Sequence, residues 1–405
     1  MTSLSRRRWL QAGPLAVALG WAKPAPAQVP GVMRPPENFR LSGAPVVQGV
    51  SSTAVSIAWG VNDTSTGWVE YGETPALGRL AAPDGHGLRP LDAVVHRVRL
   101  DGLSPGTRYH YRAVSVPIAF LGAYDIRRGR PFESAVASFT TPDEGRGSRV
   151  QFAVINDTHE QPETLKALFT QLADAPDDLL FWNGDMFNDI ASHQQMSEQL
   201  LTPAGMAYAS RRPVWFSRGN HDVRGAEARA LDRFLDRPGG QFYYSVRQGP
   251  VAFLVLDTGE DKADDAAVYA GLGTFDAYRT AQATWLAQEL KKDHVRSAPF
   301  RVVVAHIPLY TTRDTQPHGG ADARVKWHAH LAAGGVDLLI TGHTHRYAWM
   351  PPDGTRPFGQ LTGGGPRPQE ATLIRADADA ERLTARMFRL DGSLIGEYVV
   401  PRRRA

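Results

Sequence analysis

The stretch Val150-Gln151-Phe152-Ala153-Val154-Ile155-Asn156-Asp157-Thr158-His159 joins an apolar, strand-like run to an aspartate and a histidine, which are residue types that can bind metals. Four later runs repeat this arrangement, each with candidate ligands directly after a strand-like segment. They are Asn183-Gly184-Asp185, Arg218-Gly219-Asn220-His221-Asp222, Ala305-His306 and Thr341-Gly342-His343-Thr344-His345. Because sites in open α/β sheets form at the carboxyl ends of strands, we expect the five runs to converge on one crevice.

Apolar runs alternate with helical stretches beyond a polar linker at residues 143–148. The strand-like runs are 150–155, 178–182, 213–216, 301–304 and 336–340, and the pattern predicts helices at 163–173 and 278–292. Residues 241–245 and 251–257 suggest an antiparallel pair, and 372–376, 382–390 and 395–400 read as closing strands. We therefore predict an α/β domain over residues 149–400, with a β-sandwich core flanked by helices.

Residues 37–142 show short alternating runs separated by turn residues, which predicts a small all-β domain. The segment Leu103 to Tyr111 resembles the tyrosine corner of a fibronectin type III sandwich, and Ser138 to Pro142 resembles its last strand. The predicted order is thus an N-terminal all-β, fibronectin III-like sandwich followed by the α/β domain.

The composition excludes several kinds of site. The 405 residues include no cysteine, so the chain has no disulfide, thiolate metal site or cysteine nucleophile. The formal net charge of +3 includes the four positive charges of Arg6, Arg7, Arg8 and Lys23 near the N-terminus, and without these four it is −1. The basic pI therefore gives no specific indication of a nucleic-acid partner.

The first 27 residues resemble a twin-arginine export signal. A twin-arginine run at 5–11 precedes a weakly apolar stretch to Ala22 and the small-residue segment Ala25-Pro26-Ala27. The apolar stretch is shorter than the roughly 20 residues that span a bilayer, so we expect no stable membrane anchor. The resemblance implies the twin-arginine export machinery as a partner, cleavage after Ala27, and a periplasmic or secreted protein that is exported folded.

In this order, the five runs resemble the calcineurin-like metallophosphoesterase superfamily, whose pattern is Asp-x-His, Gly-Asp, Gly-Asn-His-Asp/Glu, a lone His and Gly-His-x-His. The resemblance implies two divalent or trivalent metal ions, drawn from Fe, Mn or Zn. It implies that one ion is held by Asp157, His159, Asp185 and His345, and the other by Asp185, Asn220, His306 and His343. Asp185 would then bridge both ions.

These ligand types suit the cleavage of phosphate esters. A bridging carboxylate brings two cations to roughly 3.5–4 Å, where they share a hydroxide and clamp a phosphoryl group. The resemblance assigns His221 as the proton donor for the leaving oxygen, and Asp222 is expected to hold its ring. Weaker candidates for contacts to the substrate are Asn188, His318 and Arg346.

Several features are similar to the purple acid phosphatase branch of that superfamily. They are the upstream sandwich, the run His306-Ile307-Pro308-Leu309-Tyr310, residues 335–347 and residues 363–366. Two features depart from it: Asn188 stands where that branch has a tyrosine ligand, and His159 has no counterpart there. We therefore expect an enzyme without the iron-tyrosine colour.

The sequence accordingly favours an exported phosphomonoesterase that acts on small phosphate esters through a metal-bridging hydroxide. One alternative is a phosphodiesterase on the same metal core, acting on cyclic nucleotides, glycerophosphodiesters or phospholipid head groups. A second is a non-catalytic surface-binding protein, which the complete set of ligand runs disfavours.

Overall fold

The computed structural model describes residues 38–83, 85–143, 149–173, 175, 177–311 and 316–402. The predicted export signal at 1–27 lies outside the described residues and stays a prediction. Within the described ranges, every helix is too short or too polar to cross a membrane.

A nine-stranded sheet carries the first three ligand runs. Its order is β21-β20-β19-β10-β11-β12-β1-β2-β5, with β10, β11 and β12 parallel to one another. The bounds are β1 Val46–Gln48, β2 Ala54–Gly60, β5 Val95–Asp101, β10 Arg149–Ile155, β11 Leu179–Asn183, β12 Val214–Ser217, β19 Thr372–Asp379, β20 Arg382–Arg389 and β21 Leu394–Pro401.

A six-stranded sheet carries the other two ligand runs. Its order is β13-β14-β15-β16-β18-β17, and its central strands β14, β15, β16 and β18 are parallel. The bounds are β13 Tyr244–Gln248, β14 Val251–Leu256, β15 Phe300–Ala305, β16 Leu338–Thr341, β17 Ala348–Met350 and β18 Gly359–Thr362. The predicted antiparallel pair is present as β13 and β14, with β13 three residues further along the chain than predicted.

The helices lie on the outer faces of these two sheets. They are α1 Pro162–Ala173, α2 His193–Leu201, α3 Phe275–Glu289, α4 Asp293–Arg296 and α5 His318–Ala333. Short 3₁₀ helices lie at Pro203–Gly205, Ala228–Arg233, Pro238–Gly240 and Ala267–Tyr269.

Alternation along the strands explains the layers. On β10, Phe152 and Val154 join the core between the two sheets, whereas Ala153 and Ile155 face the cluster formed with α1 and α2. The rings of Phe152 and Phe253 meet edge to face at 4.8 Å across the inner core. Since both faces of each central strand are buried, the strands read as continuous apolar runs, and the predicted β-sandwich core flanked by helices is confirmed.

Besides β1, β2 and β5, which belong to the nine-stranded sheet, the N-terminal domain has a second sheet. Its other sheet has the order β4-β3-β6-β7, and β8 and β9 also pair with β6. The bounds are β3 Ser65–Gly72, β4 Arg79–Ala81, β6 Arg108–Gly122, β7 Asp125–Arg128, β8 Phe132–Glu133 and β9 Ala137–Thr140. The backbone N–H of Ser104 donates to the hydroxyl of buried Tyr109 at 2.9 Å, which forms the expected tyrosine corner.

The two domains share one sheet, which the sequence did not predict. Strand β1 of the N-terminal domain pairs in parallel with β12, with Gln48 opposite Val214. The buried amide of Gln48 also donates to the carbonyl of Phe234 and accepts from the backbone N–H of Asp236. The sandwich therefore covers the free edge of β12, the strand that leads into the Asn220 run.

His96 on β5 is a buried titratable group inside the sandwich. Its Nε2 lies 2.8 Å from the hydroxyl of Ser65, and its ring packs against Trp59. Burial lowers the pKa of His96 from 6.5 to about 4, against the opposing charge of Asp92. Because the unfolded chain binds this proton near pH 6.5 and the folded chain only near pH 4, stability falls as the pH drops through that window.

We predict that His96 removes about 2 kcal/mol from the free energy of unfolding between pH 7 and pH 5. Denaturant unfolding followed by tryptophan fluorescence measures this in the wild type and in His96→Gln. The loss on acidification is expected to be about 2 kcal/mol smaller in the variant, because glutamine does not titrate. Equal losses in both proteins would show that His96 does not cause the pH dependence.

Candidate metal centre

The five ligand runs meet where the carboxyl ends of the two sheets come together. Asp157, Asp185 and Asn220 follow β10, β11 and β12 of the nine-stranded sheet. His306 and His343 follow β15 and β16 of the six-stranded sheet. The expectation of one crevice is met, but it lies between two facing sheets rather than at the edge of one.

The ligand atoms form two overlapping groups. In each group, the carboxylate oxygens and imidazole nitrogens lie within 4.8 Å of one another. One group is Asp157, His159, Asp185 and His345, and the other is Asp185, His306 and His343. Asp185 belongs to both, as the sequence resemblance implies for a bridging ligand. Asn220 adjoins the second group, since its Oδ1 lies 2.8 Å from His343 Nδ1.

Asp185 lies at the centre of the cluster. Its Oδ2 is 3.1 Å from His306 Nε2 and 3.4 Å from His159 Nε2. Its Oδ1 accepts the backbone N–H of His221 at 2.9 Å. Burial would raise the pKa of Asp185, but the charges of His306 and His159 hold it well below its usual range, so the carboxylate is ionised.

Unusual backbone conformations are concentrated at the ligands. Positive φ angles occur at Asp157, His159, Asp185, His343 and His345, although none of them is a glycine. Such conformations cost of order 1–3 kcal/mol each and persist where the surrounding structure holds them for function. Five of the seven predicted ligands carry this strain, which points to a site rather than to ordinary packing.

Glycines allow the backbone to approach the ligands closely. A Cβ on Gly219 would lie 2.2 Å from Asp185 Oδ1, and one on Gly184, which also has φ +77°, would lie 2.3 Å from His306 Nδ1. Contacts this short do not occur with real side chains. Both positions therefore require glycine, which lets the backbone lie next to the ligand side chains.

Hydrogen bonds to the backbone orient two of the ligands. His306 Nδ1 donates to the carbonyl of Asn183 at 2.9 Å, which turns Nε2 toward Asp185. Asp157 Oδ2 accepts from the side-chain amide of Asn156 at 2.6 Å and from the backbone N–H of His343 at 2.8 Å. Such partners fix the ligand atoms before any ion binds.

The arrangement fits cations. The Nε2 atoms of His159 and His345 lie 3.2 Å apart, close enough for both to ligate one cation. Asp157 Oδ1 and His306 Nε2 are buried and have no hydrogen-bond partner among the described residues. Burial would lower the pKa of His306, yet Asp185 and Asp157 raise it to about 10. The same negative charge attracts a metal in place of that proton, and the oxygen and imidazole donors suit Fe, Mn or Zn.

His221 lies beside the cluster, with its ring 4.6 Å from that of His159. Its Nδ1 is 2.6 Å from the carbonyl of Asn188, and its Nε2 is 3.1 Å from Nη1 of Arg224. Because a carbonyl only accepts and a guanidinium only donates, the proton is on Nδ1 and the lone pair on Nε2. Burial lowers the pKa of His221, which agrees with a neutral ring.

Asp222 does not hold the ring of His221, so that expectation is wrong. Its Oδ1 accepts from the backbone N–H groups of Met186 and Phe187, and its Oδ2 accepts from that of Gly219. Asp222 therefore ties the Asp185 loop to the Asn220 loop. The carbonyl of Asn188 and the guanidinium of Arg224 orient the ring instead.

The predicted substrate contacts fall in different places. The Asn188 amide donates to the carbonyl of His159 and to Glu160. His318, at the start of α5, pairs with Asp276 of α3 at 2.9 Å. Arg346 is exposed and lines a cavity of about 870 Å³ together with His343, His345 and Arg367. Of the three, Arg346 has the position that suits a phosphate oxygen.

Sequence reasoning missed Asn156 and Arg224. Asn156 lies inside the first quoted stretch, and its amide also donates to the carbonyl of Gly364, so it links two loops at Asp157. Arg224 follows the third ligand run by two residues, and this closeness was the available signal. Its guanidinium is fixed by Glu260, with Nε and Nη2 donating at 2.8 and 2.5 Å.

Comparisons with known families agree with this geometry. Residues 150–347 match the family described as Calcineurin-like phosphoesterase. Residues 150–347 are therefore a calcineurin-like metallophosphoesterase domain. Residues 36–141 match the family described as Purple acid phosphatase, N-terminal domain. The chain thus combines a calcineurin-like domain with a purple acid phosphatase N-terminal domain, and the resemblance seen in the sequence is confirmed.

Individual relatives are distant. Purple acid phosphatase 18 of Arabidopsis thaliana is 23% identical over 310 residues, which cover 72% of this chain and 62% of the relative. The chain thus spans less than two thirds of that relative's length. The purple acid phosphatase PPD1 from seeds of yellow lupin, Lupinus luteus, superposes with a TM-score of 0.65 at 16% identity, over 88% of this chain and 74% of that one. PhoD superposes with a TM-score of 0.61 at 13% identity, over 92% and 90%. These superpositions show a shared fold.

Proposed function

We propose that this chain is a binuclear phosphoesterase that hydrolyses phosphate monoesters after export, with His221 as proton donor. The observation that carries the proposal is the pair of overlapping ligand groups that share Asp185. The purple acid phosphatase N-terminal domain supports a monoester as the substrate.

The ligands named above would hold the two ions, with Asn220 completing the second group. When bound, two cations supply an activated water nucleophile and neutralise the charge of the phosphoryl group. Arg346, which lines the neighbouring cavity, would bind a phosphate oxygen. His221 holds its proton at Nδ1, so donation to the leaving oxygen requires that Nε2 also be protonated and that this oxygen replace Arg224 Nη1 as its contact.

Chelation tests the proposal. Full-length protein treated with a chelator is expected to lose hydrolysis of an aryl phosphate, and adding back Mn, Zn or Fe is expected to restore it. The same metal core serves both reactions, so hydrolysis of an aryl phosphodiester should be compared with that of the monoester on the same preparation. Faster hydrolysis of the diester would favour the phosphodiesterase alternative. Activity that survives chelation would contradict the proposal.

Export is the remaining part of the proposal. It is supported by the twin-arginine run and the Ala25-Pro26-Ala27 segment. A mature N-terminus at Gln28, determined by mass spectrometry on protein recovered from the periplasm or medium, is the expected result. A chain retained in the cytoplasm with residues 1–27 intact would contradict it.

A further inference from the structure

We propose that a cavity beside His221 binds the apolar alcohol portion of the substrate, so that aryl and branched alkyl phosphates are the preferred class of monoester. This inference rests on the proposed function and adds the substrate class to it. The cavity, called here the Arg224 cavity, has a volume of about 640 Å³. Its wall includes Arg218, Arg224, Val268, Tyr269, Leu272 and Phe275.

Arg224 connects the cavity to His221. This side chain lines the cavity and places its Nη1 3.1 Å from His221 Nε2. A proton donor must lie within hydrogen-bond reach of the oxygen that it protonates. The alcohol portion attached to that oxygen therefore extends past His221 toward Arg224. It enters the cavity rather than the bulk solvent.

Apolar side chains at the wall point to an apolar occupant. Val268 is 73% exposed and Leu272 is 70% exposed. Single exposed apolar residues are common and need no explanation. These two, however, lie four residues apart on one segment and face the same cavity as Tyr269 and Phe275.

The wall is formed before a ligand arrives. Asp264 accepts the backbone N–H groups of Phe275 and Asp276 at 2.7 and 2.9 Å, which fixes the segment to the start of α3. A backbone hydrogen bond of 2.9 Å from Leu272 to Tyr269 closes the turn that carries the apolar side chains. A preformed wall binds without the entropy cost of ordering a loop.

The cations around the cavity are neutralised within the protein. Arg224 pairs with Glu260 at 2.5 Å and with Asp261 at 3.1 Å. Arg218 pairs with Asp257 at 2.5 Å, and Lys262 pairs with Asp261 at 2.8 Å. Arg229 also lines the cavity, is exposed, and makes no ion pair with a described residue. The interior thus favours an uncharged body over a second anionic group.

The size also fits. Ligand pockets in proteins have volumes of about 300–1,000 Å³. The cavity lies inside this range and accommodates a naphthyl group. A glycerol or sugar body would cover less of the apolar surface of Val268 and Leu272 than an aryl group does.

The test replaces the apolar wall. In the full-length, metal-loaded Val268→Ser/Leu272→Ser protein, kcat/KM for 1-naphthyl phosphate is expected to fall about tenfold, mainly through KM, because the contact is present before and during reaction. The value for a glycerol phosphate is expected to change less than about twofold. The matched control is Leu88→Ser/Val325→Ser, which alters a leucine and a valine of similar exposure, 75% and 79%, away from the cavity.

A second readout does not depend on catalysis. Binding of 1-naphthol to metal-free protein, followed by its fluorescence, is expected to weaken about tenfold in Val268→Ser/Leu272→Ser and to be restored in Val268→Ile/Leu272→Met. Equal loss on both esters, or unchanged naphthol binding, would overturn the cavity assignment. If the wild type hydrolyses neither ester, the proposed function fails, and naphthol binding alone decides whether the cavity takes apolar groups.

Discussion

Asp185→Asn is expected to lower kcat/KM for an aryl phosphate by more than about 100-fold. Mutation of residues that only hydrogen-bond to metal ligands already costs up to about 100-fold, and Asp185 is itself a predicted ligand. Asp185 is the one residue common to both ligand groups, so the substitution weakens both metal positions together. Metal content is expected to fall to less than one ion per chain after dialysis. Metal analysis and steady-state kinetics on the same preparation measure both effects.

The substitution is close to isosteric, so the fold should remain. The amide oxygen of asparagine still accepts the backbone N–H of His221, as Asp185 Oδ1 does. Asp189→Asn is the matched control, since its exposed side chain makes no hydrogen bond or ion pair with a described residue. An Asp185→Asn protein that keeps two ions and full activity would exclude Asp185 as the bridging ligand.

His221→Ala is expected to leave both metal positions filled and to lower kcat by about 10²–10⁴-fold, the range that general acid catalysis supplies. The loss should be greatest for alkyl phosphates and least for a nitrophenyl phosphate, whose leaving group needs no proton. Rates over a series of leaving groups, with metal content determined in parallel, provide the measurement.

His86→Ala is the control for this experiment, because His86 is exposed in the N-terminal domain and lies in neither ligand group. A loss of equal size across all leaving groups would mean that His221 binds phosphate rather than donating a proton. A loss of metal would mean that it supports the ligands. His221 Nε2 already contacts Arg224, so the distances alone do not show whether it donates a proton to the substrate. The leaving-group series decides this.

The ligand cluster could be predicted from the sequence because each ligand lies within a few residues of a strand end. Local apolar patterning located the strands, and the parallel order placed their carboxyl ends together. The structure brings Asp157, His159, Asp185, His306, His343 and His345 together in two groups, with Asn220 adjoining. Local sequence therefore contained most of the information about this part of the site.

Contacts between distant segments could not be predicted in the same way. The pairing of β1 with β12 joins residues more than 160 positions apart, and nothing in either short strand specifies its partner. Asp222 was assigned to His221 because the two are adjacent, yet its partners are backbone N–H groups whose directions depend on the folded loops. Arg224 reaches Glu260 only because the 260–275 segment folds next to the third ligand run.

Metal stoichiometry measures directly whether two ions are present to share Asp185. Full-length protein, loaded with Mn, Zn or Fe and freed of excess metal, should be analysed by inductively coupled plasma mass spectrometry against protein concentration. Two ions per chain are the expected result. A saturating value of one ion per chain, or none, would contradict it.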